Sequence, residues 1–267
     1  MINLKQQLDM IDIPLQITNN YSSLYRLAGD LIDCERGQYE DVSWVNNKGA
    51  WPNRIYGINL SKENIDHKLE WLVDGMKSGR MPKIIGTSQF TKPENYEMYF
   101  EAHGLVKTSD AEGMGLSTKN LNTDFKPKTQ VVIKKVSNQA ELKDFAKIVT
   151  PNLFQMDMSY VKPYYECISR LRETGAADFF IAYDKGTPVS TAMVYYSEEV
   201  AGLYHIATDI PYRGLGIGKQ ITIGAILHAE KKGYDNVVLF ASEDGKHMYQ
   251  QLGFESVCKL GRYKLKQ

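Results

Sequence analysis

Thr208-Asp209-Ile210-Pro211-Tyr212-Arg213-Gly214-Leu215-Gly216-Ile217-Gly218-Lys219 is the stretch that decides the reading of this chain. It follows an apolar, strand-like segment, Leu203 to Thr208, and opens a helical one, Lys219 to Lys232. Glycines at alternate positions let a backbone turn tightly and approach a ligand with no Cβ in the way. The helix that starts there leaves its first N–H groups unpaired at the positive end of its dipole, which suits a phosphate. Two familiar phosphate motifs fail on spacing. A P-loop needs G-x-x-x-x-G-K-[ST], but Arg213 stands at the first glycine and Gln220 follows Lys219. A dinucleotide fingerprint needs a glycine where Lys219 stands, and Asp235 precedes the next apolar run instead of ending it. What remains is R-x-x-G-x-G, as Arg213-x-x-Gly216-x-Gly218; a glycine turn without a ligand is the plainer alternative.

Further along, Val237-Val238-Leu239-Phe240-Ala241 reads as a short buried strand. Ser242-Glu243-Asp244 offers an N-cap and first-turn acids for a helix through Leu252, and Gly253 can end it before Phe254 starts another extended stretch. Tyr249-Gln250-Gln251-Leu252-Gly253-Phe254 is therefore a Y-x-x-L-G-F on a helix just before a strand.

In this order the two stretches resemble the GNAT superfamily of acyl-CoA-dependent N-acyltransferases. The resemblance covers Ala201 to Phe254 and extends back to Val131, with one departure: Pro211 lies two places before Arg213 instead of three. It implies an α/β (α+β) fold, a mixed, mostly antiparallel sheet flanked by helices. It implies acetyl-CoA as co-substrate and no metal. The family's oxyanion donor falls on the backbone N–H of Ile206, with Ile206, Ala207 and Thr208 pairing with pantetheine. The phosphates fall on Arg213, Gly214, Leu215, Gly216, Ile217, Gly218 and Lys219, with Ser242 at the next turn. Tyr249 takes the place of the acid that protonates the departing thiolate, a core tyrosine being the plainer reading. The glutamate some members place on this strand falls on Gly202, which has no side chain. His205 is the nearest titratable group and is a candidate base, although strict strand alternation points it away from Ile206.

Upstream, Gln139 to Val149 and Pro163 to Thr174 read as helices, the second closed by Gly175. Phe179–Tyr183 and Val189–Tyr196 flank Asp184-Lys185-Gly186-Thr187 as a hairpin, and Val200 to Thr208 follows as a strand. Pro151 to Tyr160 with Tyr164 and Tyr165, rich in aromatics and methionines, offers an acceptor pocket with Asp157 as its acid, or a core edge. The polar stretch Asn122-Thr123-Asp124-Phe125-Lys126-Pro127-Lys128 reads as a linker between residues 1–127 and 128–267.

The N-terminal part carries a similar order: strand Arg54 to Leu60, helix Lys62 to Lys77, strand Lys83 to Gly86, helix Pro93 to His103, then Gly104-Leu105 before an extended stretch. It lacks the glycine turn, and Phe100 stands where Tyr249 does. Either it is a worn repeat that binds no CoA, or it is an unrelated, smaller α/β lobe.

Lys+Arg and Asp+Glu are equal at 32 each, so charge gives no reason to expect nucleic acid or membrane as partner. Three scattered cysteines fit reduced thiols and a cytoplasmic location. Met1-Ile2-Asn3-Leu4-Lys5, with an acid by Asp9, lacks a signal peptide's apolar region. The expectation is an N-acetyltransferase acting by direct attack on a small-molecule or peptide amine, as monomer or homodimer. A catalytically inactive acyl-CoA-binding sensor is the alternative of another class, and a nucleotide-binding oxidoreductase is disfavoured by the failed fingerprint.

Overall fold

The computed structural model describes residues 12–39 and 41–266. The reading of Met1 to Asp9 lies outside the described residues. The chain forms two compact units that alternate along the sequence. The first holds the described residues through Tyr21 together with Gly113–Val257, and the second holds Ser22–Glu112 and the residues from Cys258 onward. Helix α1 (Ile13–Asp30) and strands β5 (Leu105–Ser117) and β11 (Glu255–Leu265) pass from one unit into the other.

In the first unit, β6 (Val132–Lys135), β7 (Ala177–Asp184), β8 (Thr187–Tyr196) and β9 (Ala201–Thr208) pair antiparallel in sequence order, and β9 pairs parallel with β10 (Asn236–Ala241). The tail of β5 lies beside β10. The β7–β8 hairpin turns on Lys185 (φ 47°) and Gly186 (φ 86°), the two left-handed residues that a tight two-residue loop needs. Helix α4 (Gln139–Asn152) starts at Asn138, whose side chain accepts from the Glu141 N–H at 2.9 Å while Glu141 accepts back from Ser137 N–H at 2.7 Å. Helix α5 (Val161–Glu173) follows, then α6 (Ile217–Lys231) and α7 (Glu243–Gln251).

Strand alternation sends neighbouring side chains to helices on opposite faces. Phe179 meets Phe145 of α4 at 5.2 Å between ring centroids, while the next residue, Phe180, meets His228 of α6 at 5.0 Å. The α6 face of the core is a continuous apolar cluster including Ala182, Val194, Leu203, Ile221, Ala225, Leu239 and Phe254.

In the second unit, β1 (Glu35–Gln38), β2 (Ser43–Asn46) and β3 (Asn53–Tyr56) pair antiparallel, β3 pairs parallel with β4 (Ile85–Thr87), and β4 pairs antiparallel with β11. Helix α2 (Ile65–Lys77) joins the parallel pair and α3 (Tyr96–Ala102) follows β4. These helices are shorter than the sequence suggests, and β3 ends at Tyr56 because Gly57 turns left-handed (φ 64°). The core is Ile55, Leu69, Leu72, Ile85, Phe100 and their neighbours.

The stretch from Asn122 to Lys128 forms no regular element, yet it is tied down within the first unit. Asn122 N–H donates to Leu252 O (3.0 Å), Lys128 N–H donates to Leu215 O (3.1 Å), and the Gln220 side chain bonds Thr129 O at 2.7 Å. No described helix is long and apolar enough to cross a membrane.

Candidate functional site

Strand β9 carries the irregularity on which the site is built. Its register against β8 runs Met193↔Tyr204 and then Thr191↔Ala207, so two residues of β9, His205 and Ile206, stand opposite Ala192 alone. This is a β-bulge, and its first residue, His205, is left-handed at φ 49°. On the other edge, pairing with β10 ends at Leu203↔Leu239. From Tyr204 onward the register pairs no further residues of these two parallel strands, and Ile206 lies in this unpaired part.

The bulge also redirects side chains. His205 is buried, with its Nδ1 2.8 Å from the Tyr164 hydroxyl on α5, and the rings of Phe154 and Tyr164 pack edge-on to it at 5.4 and 5.5 Å. Burial lowers its pKa to about 3. The imidazole is therefore neutral near pH 7 but a feeble proton acceptor, which counts against its use as the base. His205 and Ile206 face opposite sides, as alternation predicts, but the extra residue puts His205 on the side opposite to Leu203, two places before it, and Ile206 on the α6-face cluster.

At Gly202 an added Cβ would lie 2.1 Å from the side-chain oxygen of Asn20. Asn20, fully buried on α1, donates to Ser197 Oγ (2.8 Å) and accepts from Tyr204 OH (2.6 Å). The space a glutamate would need is filled by an amide from a helix far away in sequence. Nothing in the local motif signals Asn20; a polar residue on an otherwise apolar helical face was the one available cue.

The glycine turn keeps two left-handed residues, Gly214 (φ 72°) and Gly216 (φ 83°), the latter being the N-cap of α6. A Cβ at Gly216 would stand 3.2 Å from Pro127 Cα, and one at Gly218 would stand 3.2 Å from Thr208 Oγ1. Phe125 and Pro127 thus back the turn, and Lys219 Nζ lies 4.7 Å from the centre of the Phe125 ring. Ile217 is buried and Leu215 half-buried. Arg213 is exposed, and its guanidinium spans Thr208 O (2.9 Å) and Asn152 O (3.1 Å), clamping the end of β9 to the end of α4. Asn152 in turn donates to Asp209 at 3.1 Å. Arg213 therefore holds the loop's shape.

At the end of β10, Ser242 caps α7 by accepting from Gly245 N–H at 3.3 Å. Tyr249, two turns into α7, is 8% exposed, and its ring is edge-on to Phe254 at 5.8 Å. Burial pushes its phenol above the ordinary pKa of 10, so it stays protonated at neutral pH and can donate a hydrogen bond. Among the described residues its hydroxyl has no hydrogen-bond partner. In the α4–α5 connection, Asp157 accepts from Ser159 N–H at 2.8 Å and caps the short turn Met158–Tyr160, so this acid is engaged locally.

Residues 175–256 match the family model of an acetyltransferase (GNAT) domain. Among solved structures, a GCN5-related N-acetyltransferase from Kribbella flavida superposes with TM-score 0.68 at 15% identity, covering 93% of this chain and 95% of the other. A tandem GNAT protein from the clavulanic acid biosynthesis pathway superposes with TM-score 0.57 at 10% identity, over 83% of this chain and 77% of the other. An acetyltransferase of the GNAT family, described as putative, from Novosphingobium aromaticivorans gives 0.53 at 10% identity, over 87% and 92%. At these identities the likeness is one of fold. No curated relative matches the sequence.

Proposed function

We propose that this chain is an acyltransferase that moves an acetyl group from acetyl-CoA to the amine of a small molecule or peptide, by direct attack in a ternary complex; the match of residues 175–256 to the GNAT acetyltransferase family model supports this reading. The observation that carries this reading is the coincidence of the β9 bulge with the end of β9–β10 pairing. Backbone at Ile206 to Thr208 then lies in a gap between parallel strands, where pantetheine can pair in place of a strand. The acyl carbonyl would meet the Ile206 N–H, a donor fixed before the reaction. The pyrophosphate would sit on the N–H groups of Gly214 to Lys219 at the positive end of α6. Attack by the neutral amine forms the C–N bond and then breaks the C–S bond. Tyr249 donates its proton to the departing sulfur. The proton that the attacking nitrogen must shed passes to solvent water, which also returns a proton to Tyr249; no side chain is assigned as base.

The test is acetyl-CoA consumption against a panel of amines, with CoA affinity and stoichiometry measured by calorimetry. Turnover of at least one amine and one CoA per chain are expected. Tight CoA binding without turnover on any amine would favour the acyl-CoA-binding sensor. Loss of CoA affinity in Gly216→Val, which meets Pro127 and an unfavourable φ, is the control that places the phosphates.

A further inference from the structure

The second unit contains a cleft of about 610 Å³. One wall is an aromatic corner. Trp44 on β2 lies across β1 at Gly37, where a Cβ would come within 2.1 Å of the indole, so only glycine there leaves room for the ring. Tyr39 stacks on Trp44, with centroids 5.6 Å apart and planes at 24°. Trp71 of α2 closes the corner edge-on to both, at 5.4 Å from Trp44 and 6.2 Å from Tyr39. Tyr39 remains 55% exposed. An open aromatic face next to a cleft of ligand size invites a second flat ring.

The charges around the cleft decide the rest. Lys68 Nζ already lies 5.5 Å from the Tyr39 ring centre and 5.7 Å from that of Trp71, neutralised by Asp41 at 3.0 Å. The corner's cation position is filled from within, which disfavours an added ammonium ligand. Arg36 is paired with Asp30 at 3.0 Å. Arg80, also lining the cleft, bonds Ser78 Oγ through Nε at 3.0 Å and has no acid partner among the described residues. Its terminal N–H groups form a planar fork that matches a carboxylate. Glu35 also lines the cleft and opposes each added negative charge, so a monoanion is favoured over a multiply charged one.

We propose that this cleft binds an aryl carboxylate, its ring stacked on the Tyr39–Trp44–Trp71 corner and its carboxylate on Arg80. None of its lining residues belongs to the proposed acyl-transfer site, and the proposal does not depend on that reading. The probe is indole-3-acetate, titrated by calorimetry into the full chain with and without saturating CoA, beside its uncharged alcohol, tryptophol. Saturable binding of indole-3-acetate is expected, unaffected by CoA and at least about tenfold tighter than tryptophol, the scale of one charge-assisted hydrogen-bonded contact. Arg80→Met, a change at an exposed position, should weaken the acid toward the alcohol's affinity and leave the alcohol unchanged. Trp71→Leu should weaken both; if that variant fails to fold, Arg80→Met with the two probes still decides. The proposal is overturned if indole-3-acetate does not saturate, if CoA displaces it, if tryptophol binds equally well, or if Arg80→Met binds as the parent does.

Discussion

A phenol that loses its proton only well above pH 10 is suited to one task at neutral pH, donating a hydrogen bond or a proton. Tyr249 is such a group, with its ring fixed by Phe254 and its hydroxyl unclaimed among the described residues. Tyr249→Phe preserves the packing and removes the donor. It should lower kcat by roughly 10²-fold or more while leaving acetyl-CoA affinity little changed; equal turnover would make Tyr249 a packing residue. His205 differs, because its burial is a matter of stability. Its folded pKa, about 3, lies below the ordinary 6.5, so the unfolded chain binds the extra proton between those values. Its contribution is fully present above about pH 6.5 and declines as pH falls toward 3. In His205→Asn, a residue that tolerates the left-handed φ, urea unfolding followed from pH 7 to 4 should lose this part of the slope. A slope identical to the parent's would mean that the imidazole is less buried than the geometry says.

Elements here are pinned by a few polar anchors placed on apolar scaffolding. Asp178 of β7 is one: its side chain is 8% exposed and meets Lys135 on β6 (2.6 Å), Tyr196 on β8 (2.9 Å), and His228 (2.8 Å) and Lys232 (3.0 Å) at the end of α6. Burial alone would raise its pKa, but the hydrogen bonds from Lys135, Lys232, Tyr196 and His228 outweigh it and hold the carboxyl well below the usual range. A depressed folded pKa means that the contribution is present above the unfolded value near 3.8 and is lost as pH falls below it. Asp178→Asn should therefore cost about 1–3 kcal/mol in urea melts near pH 7 and measurably less near pH 3, where the unfolded carboxyl is already protonated but the folded one is not. An equal loss at both pH values would show that shape, not charge, matters at this position. The elements themselves were legible: periodicity and the R-x-x-G-x-G turn located α6, β10, α7 and the β7–β8 hairpin within a few residues. Tertiary facts were not. The bulge at His205 breaks a pattern that assumes unbroken alternation, and Asn20 enters from a helix that no local motif names. The polar run at Asn122 to Lys128 reads as a linker by composition, yet Pro127 and Phe125 pack under Gly216.

At the scale of the molecule, both units show the same series of pairings: antiparallel, antiparallel, then parallel through a crossover helix, α6 in one and α2 in the other. The correspondence reaches single residues. Tyr249, Gly253 (φ 101°) and Phe254 have counterparts in Phe100, Gly104 (φ 74°) and Leu105, a spacing that favours the worn-repeat account of the N-terminal part. Yet each unit takes residues from both parts of the sequence. Beside β10 lies the tail of β5, whose Met114 and Leu116 belong to the same apolar cluster as Leu239 and Phe254. The residue after β5, Thr118, donates its N–H to Asp235 O at 2.8 Å. Gly202 is covered by Asn20 of α1. A fragment of residues 128–267 contains the whole family motif but lacks these pieces. It would expose the unpaired edge of β10 and forgo burial of two side chains worth about 1.5–3 kcal/mol each. Against a net stability of about 5–15 kcal/mol for a domain, that loss is large. The fragment should therefore unfold without a cooperative transition in circular dichroism and bind no CoA in calorimetry. A fragment begun at residue 113, which restores the strand beside β10, should recover part of the transition. A sharp melt and parental CoA affinity from residues 128–267 alone would mean that the motif-bearing segment is self-sufficient and that the strand from β5 is dispensable.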